Sequence, residues 1–132
     1  MGGAVRVLLD THALLWWFTD DDRLSETARE IIANEENEIF VSAASAWEIA
    51  TKQRIGKLDD VPQAAERFSE LVDADGFLHL PITYLHSLRA GGYPNEHRDP
   101  FDRMLAAQSE LDKLTLVTKD PAFGRFGTRT LW

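Results

Sequence analysis

Four carboxylates stand where apolar runs give way to polar or amphipathic chain. Asp10 follows Val5–Leu9, and Glu48 lies in the segment after Glu38–Val41. Asp102 belongs to Asp99-Pro100-Phe101-Asp102, and Asp120 to Thr118-Lys119-Asp120 after Leu114–Val117. Each has an ordinary explanation when taken alone. Asp10 can cap a helix starting at Thr11, and Glu48 fits the last position of a capping box, Ser45-Ala46-Trp47-Glu48. Asp102 suits the positive end of a helix capped by Asp99, and Asp120 before Pro121 is a common turn residue. Gathered at one place, however, the four would repel one another, because burial and like charge both disfavour the ionised form. A hard divalent cation, Mg²⁺ or Mn²⁺, is the natural neutraliser of such an oxygen-rich set. It would polarise a phosphoryl oxygen and acidify an attacking water. It would also invert the local field, so that a polyanion can approach an acidic pocket.

Convergence of the four depends on the elements between them. Val5–Leu9, Glu38–Val41, Phe77–Leu80 and Leu114–Val117 read as short buried strands, with Thr128–Leu131 as a fifth. Helical spacing is expected over Thr11–Phe18, Ser25–Asn34, a segment from Ser42 to Gly56, Pro62 to Val72, Ile82–Ala90, and from Asp99-Pro100 through Leu111. Gly91–Asp99 reads as a turn-rich loop. Alternating strands and helices predict a three-layer α/β fold, with a short, mainly parallel sheet of four to five strands flanked by helices. The whole chain, 1–132, reads as one domain. Ligands of such sheets bind beyond the carboxyl ends of the strands. Asp10, Glu48 and Asp120 meet that rule directly. Asp102 joins them if its helix begins at the same edge.

The rest of the sequence narrows the chemistry. Among 132 residues there is no cysteine, which excludes disulfides, thiolate metal sites and cysteine nucleophiles. The net charge is −8, from 22 acidic and 14 basic residues, so an extended basic face for nucleic acid is not expected. No apolar run approaches the roughly 20 residues of a membrane span, and the Met1–Arg6 start lacks signal-peptide character; a cytoplasmic protein with no membrane partner is expected. The histidines, at 12, 79, 86 and 97, show no His-Glu-x-x-His spacing, and no Gly-x-Ser-x-Gly elbow or Gly-rich phosphate loop occurs. His12 adjoins the acids and has either a packing or a substrate role. Lys52, Arg54, Arg98, Arg103 and Lys119 lie near them in sequence. Arg103 and Lys119, each next to a candidate ligand, are open to two readings: contact with a substrate phosphate or pairing with neighbouring acids. In Leu14-Leu15-Trp16-Trp17-Phe18, successive side chains point about 100° apart, so one face meets the sheet and the other a second element or a partner.

The order of four segments carries a family resemblance: Leu8-Leu9-Asp10-Thr11-His12, Ser45-Ala46-Trp47-Glu48-Ile49, the run from His97-Arg98-Asp99-Pro100-Phe101-Asp102-Arg103 to Gln108, and Thr118-Lys119-Asp120. The chain resembles PIN-domain ribonucleases, specifically the VapC-type toxins of toxin–antitoxin pairs. The resemblance implies that Asp10, Glu48, Asp102 and Asp120 bind the metal, with Thr11 and Thr118 as hydroxyls behind them. It implies a Mg²⁺- or Mn²⁺-dependent endoribonuclease acting on RNA such as tRNA or rRNA, with a cognate antitoxin and a homodimeric state. Such antitoxins wrap the toxin with an amphipathic helix and can place a basic side chain in the acid pocket. Asp99 is either a fifth ligand or a helix cap. Three rival readings differ in their demands. A receiver-like signalling module wants paired acids after the first strand, where this chain has Asp10-Thr11-His12. A haloacid-dehalogenase-like phosphatase wants Asp-x-Asp, and position 12 is histidine. A catalytically silent PIN-like binding protein would keep the fold without cleavage.

Overall fold

Val7, Leu8 and Leu9 are apolar, consecutive and fully buried, as a strand covered on both faces must be. In the computed structural model, which describes residues 3–58, 61 and 63–132, they form the central strand β1 (Arg6–Leu9). Its neighbours are β2 (Glu38–Ser42) and β4 (Thr115–Val117), with β3 (Leu78–Leu80) and β5 (Thr130–Leu131) outside them. The order is β3-β2-β1-β4-β5, and every pairing is parallel. Leu9 lies opposite both Val41 and Val117, so β1, β2 and β4 end almost level. The residues just beyond, Asp10 and Thr118, therefore leave the sheet at one edge.

Side chains alternate across the sheet. Val7 and Leu9 join a core with Leu14, Ile39, Val41, Ile49, Val72 and Phe77. Leu8 and Leu116 join a second core with Ala90, Leu105, Ala106, Leu114 and Phe123. Helices α1 (Thr11–Phe18), α2 (Glu26–Ala33), α3 (Ala43–Arg54) and α4 (Phe68–Ala74) contribute to the first. Helices α5 (Tyr84–Gly92) and α6 (Pro100–Asp112) cover the second. These are the three layers expected from the sequence.

Ser42 caps α3, as expected for a helix running from Ser42 to Gly56: its hydroxyl accepts the Ala44 N–H at 2.9 Å, so Glu48 sits mid-helix and does not close a capping box. Other boundaries differ from expectation for identifiable reasons. The helix expected from Pro62 starts on a residue outside those described; residues 63–67 form turns and α4 begins at Phe68. Gly91 and Gly92 remain helical, at the end of α5, instead of opening a loop. A 3-10 helix, Pro121–Phe126, follows Asp120 and went unforeseen. The tandem tryptophans are engaged by their own chain. Trp17 packs on Phe77 and donates its indole N–H to Asp75, while Trp16 lies between His12 and Trp132. No helix among the described residues is long and apolar enough to cross a membrane.

One buried polar side chain ties both layers to the site edge. Gln108 of α6 has no solvent exposure; it accepts the Ser42 hydroxyl at 2.5 Å and donates to the Pro81 carbonyl at 3.3 Å. Replacing it leaves a cavity and two unpaired groups. Gln108→Ala is expected to cost about 2–4 kcal/mol in urea denaturation, and a loss under 1 kcal/mol would contradict this account.

Candidate metal centre

Asp10 is fixed before any ligand arrives. As the N-cap of α1, its Oδ1 accepts the Ala13 N–H at 2.7 Å, and its Oδ2 accepts the Thr118 hydroxyl at 2.5 Å. Its own N–H donates to the Val117 carbonyl at 3.1 Å, which locks the end of β1 to the end of β4. The side chain is buried, and burial is the main cause that pushes its pKa up; the Thr118 and Ala13 bonds pull the other way, and the Glu48 charge adds to the rise. The Thr118 hydroxyl accepts the Asp120 N–H at 3.1 Å. Thr118 thus couples the first and last acids of the set.

Glu48, buried on α3, meets Lys52 one turn later at 2.6 Å. Asp102 lies in the first turn of α6, which starts at the carboxyl edge because the helix runs back to feed β4. Asp99 is the cap of that helix, its Oδ1 accepting from the N–H groups of Phe101 and Asp102. Asp102 is pushed up to about 6, first by burial and then by the charges of Asp99 and Glu48, against a 2.9 Å bond from His97 Nε2. Asp10 and Asp102, from distant parts of the chain, therefore each feel the charge of Glu48. Asp120 is exposed, and its Oδ1 caps the 3-10 helix through the Ala122 N–H at 2.9 Å.

Two expected site residues have other partners in this structure. The buried Thr11 hydroxyl pairs with Ser45 Oγ at 3.0 Å. Arg103 neither points at a phosphate site nor pairs with an acid. Its guanidinium donates to the carbonyls of Ala90, Tyr93 and His97 at 2.7–2.8 Å, with longer bonds to Gly91 and Asn95. Two partners of the acids went unassigned from sequence. The Glu48–Lys52 spacing of four was a usable signal. His97 had none beyond its place in the third motif, because only folding turns its ring onto Asp102.

The donors suit a hard cation: carboxylate oxygens, with a threonine hydroxyl behind Asp10 and no sulfur. The burial of Asp10 and Glu48, with half-buried Asp102 close enough to feel the Glu48 charge, is the observation that favours such an ion. As placed, no three His, Asp or Glu side chains among the described residues form a ready coordination set. Each acid is instead turned to a partner of its own: Thr118, Lys52, His97 or the Ala122 N–H. The Lys52 bond uses Glu48 Oε2 and the helix cap uses Asp120 Oδ1, so each carboxylate has a second oxygen outside that bond.

Comparison with known proteins agrees with this geometry. The sequence pattern of the PIN domain matches residues 7–128. The chain is 37% identical to Ribonuclease VapC16 of Mycobacterium tuberculosis over 76 residues, which is 56% of this chain and 53% of that protein. The chain thus spans about half the length of that relative. It is 32% identical to Ribonuclease VapC22 of the same organism over 118 residues, 86% of each protein. A crystal structure of VapBC2 from Rickettsia felis, bound to a promoter DNA fragment, superposes with a TM-score of 0.68 at 15% identity. It covers 97% of this chain and 99% of that one, and shows a common fold.

Crowded carboxyls make the metal-free protein sensitive to pH. Asp102 titrates near 6 when folded, against an ordinary value of 3.8, so the folded state holds its proton more tightly. Stability should fall as pH rises from about 4 through 6, and this group's share should be lost above that window, on the order of 2 kcal/mol. In chelator at pH 8, Asp102→Asn should melt several degrees above the parent, and the gap should close near pH 4. A variant less stable than the parent at pH 8 would count against the electrostatic account.

Proposed function

The chain belongs to the PIN-domain family, in its VapC-type group, and from that premise we propose that it is a divalent-metal-dependent endoribonuclease, the toxin of a toxin–antitoxin pair. The observation that carries this reading is the approach of Asp10 and Asp102, from distant parts of the chain, to the Glu48 charge at the carboxyl edge of the sheet. Asp10, Glu48, Asp102 and Asp120 are the proposed ligands of Mg²⁺ or Mn²⁺. When bound, the ion supplies positive charge for a phosphoryl oxygen and a more acidic water.

The chain's own groups do the positioning. Thr118 holds one Asp10 oxygen in place and, through the Asp120 N–H, sets the turn carrying Asp120. His97 holds Asp102 Oδ2 and leaves Oδ1 free of that bond. Lys52, which is paired with Glu48 until an ion displaces it, and Lys119, exposed beside Asp120, are the proposed contacts for RNA phosphates. Hydrolysis joins a water oxygen to phosphorus and breaks the P–O3′ bond, giving a 5′-phosphate and a 3′-hydroxyl.

The proposed protein partners are a cognate antitoxin and a second copy of the chain. The VapBC2 assembly supports the first. An apolar face on α5 supports the second: Tyr84, Leu85 and Leu88 are 75%, 59% and 69% exposed, and Leu85 shares a surface groove with exposed Leu111. A patch of that kind marks an interaction surface. The proposed setting is the cytoplasm.

Two experiments test this reading. Purified protein should cut RNA with Mg²⁺ or Mn²⁺ and not with chelator, and Asp10→Asn or Asp102→Asn should each lower the rate at least about a hundredfold. Undiminished cleavage by both variants would refute the assignment. The double variant Leu85→Glu, Leu88→Glu should sediment as a monomer at concentrations where the parent is a dimer. A dimeric variant would move the interface elsewhere.

A further inference from the structure

The helix that carries Glu48 shows solvent a narrow face: Ala43, Trp47, Ala50 and Arg54, spaced by four, three and four residues. Trp47 is 56% exposed, an unusual position for an indole. It is nevertheless held. The Phe101 ring of α6 meets it edge to face, with centroids 4.6 Å apart and planes at 76°. The pair sits one residue from Glu48 on α3 and one residue from Asp102 on α6. A braced aromatic thus borders the acid cluster on two elements at once.

We infer that Trp47, braced by Phe101, is a stacking platform for an unpaired nucleobase of the RNA bound at the acid cluster. This deepens the nuclease reading above and rests on it. An indole fixed before binding loses little freedom when a base lands on its face, and every base offers a π-face to it. Alanines at 43 and 50 leave the indole uncovered. Arg54 lies on the same helix face about 10 Å along the axis, where a neighbouring phosphate of the strand can reach it. The contrast with α5 favours RNA over protein as occupant. The α5 face carries three large exposed apolar side chains within five residues, Tyr84, Leu85 and Leu88, whereas this face is one aromatic between small residues, with a cation at its end. A base inside a duplex is already stacked on both sides, so the platform selects unpaired segments.

The test measures binding of a labelled, unpaired decaribonucleotide and of the same sequence as a duplex. It uses the full chain carrying Asp10→Asn, so that bound RNA stays intact. Trp47→Ala and Trp47→Leu should each weaken binding of the unpaired RNA roughly five- to thirtyfold. Trp47→Phe should stay within about threefold, and duplex binding should not change. Thermal melting confirms folding of each variant, and the leucine variant keeps apolar contact with Phe101 while removing the large π-face.

Unchanged affinity in the alanine variant overturns the inference. So does an equal loss for duplex and unpaired RNA, or no RNA binding by the Asp10→Asn chain at all. Conversion of a dimer to a monomer by Trp47→Ala, with unchanged RNA affinity, assigns the residue to a protein interface and also overturns it. Failure of the wild-type chain to cut RNA with Mg²⁺ or Mn²⁺ would sink the nuclease reading. The binding comparison would still decide the platform.

Discussion

Carboxylates drawn to one edge of a parallel sheet are the constraint on which the rest of this protein turns. Parallel pairing makes the strand ends level, and β1 and β4 are tied at that level by the bond from the Asp10 N–H to the Val117 carbonyl. The same feature that stabilises the sheet gathers negative charge. Asp10 is buried and Asp102 half-buried, and both are pushed toward the neutral form, each further by Glu48. A fold with this arrangement must either bind a cation there or carry the strain of like charges in a poorly solvated place.

The protein moderates that strain with partners that can be displaced. Thr118 gives Asp10 a hydroxyl, Lys52 gives Glu48 an ammonium, and His97 gives Asp102 an imidazole N–H. Each partner comes from a different element, so releasing one does not release the others. Lys52 is the most consequential. Its pairing with a nearly buried Glu48 brings one positive charge into an acidic edge of a chain with net charge −8. An incoming divalent ion would replace that charge and free the ammonium for phosphate. A basic side chain offered by an antitoxin would compete for the same carboxylates, a simple electrostatic route to inhibition.

Most of this architecture was legible in the sequence. Strand–helix alternation predicted the layered α/β fold, and the position of Asp10, Glu48 and Asp120 after strands predicted a common edge. Asp102 depended on the direction of α6, which only the assembled fold supplies. What stayed illegible were contacts made across elements. The Thr11–Ser45 bond, the His97–Asp102 bond and the Trp47–Phe101 pair have no local periodicity to reveal them. Local rules also competed. Ser42 and Ser45 both suit a helix cap, and the nearer end of β2 decided for Ser42.

Arg103 shows how charge alone misleads. Beside Asp102 in sequence, it invites pairing with an acid or with phosphate. Its position in the fold offers something closer: the carbonyls left unpaired where α5 ends. A helix C-terminus carries partial negative charge and several free acceptors, which a guanidinium with five donors can meet at once. Arg103 takes Ala90, Gly91 and Tyr93 from that terminus, then Asn95 and His97 from the following loop. This explains why Gly91 and Gly92 stay helical despite their weak propensity. It also places His97, whose carbonyl Arg103 holds and whose ring rests edge-on against Phe126. The residue next to Asp102 thus acts on the acid at one remove, by fixing the loop that delivers the imidazole to it.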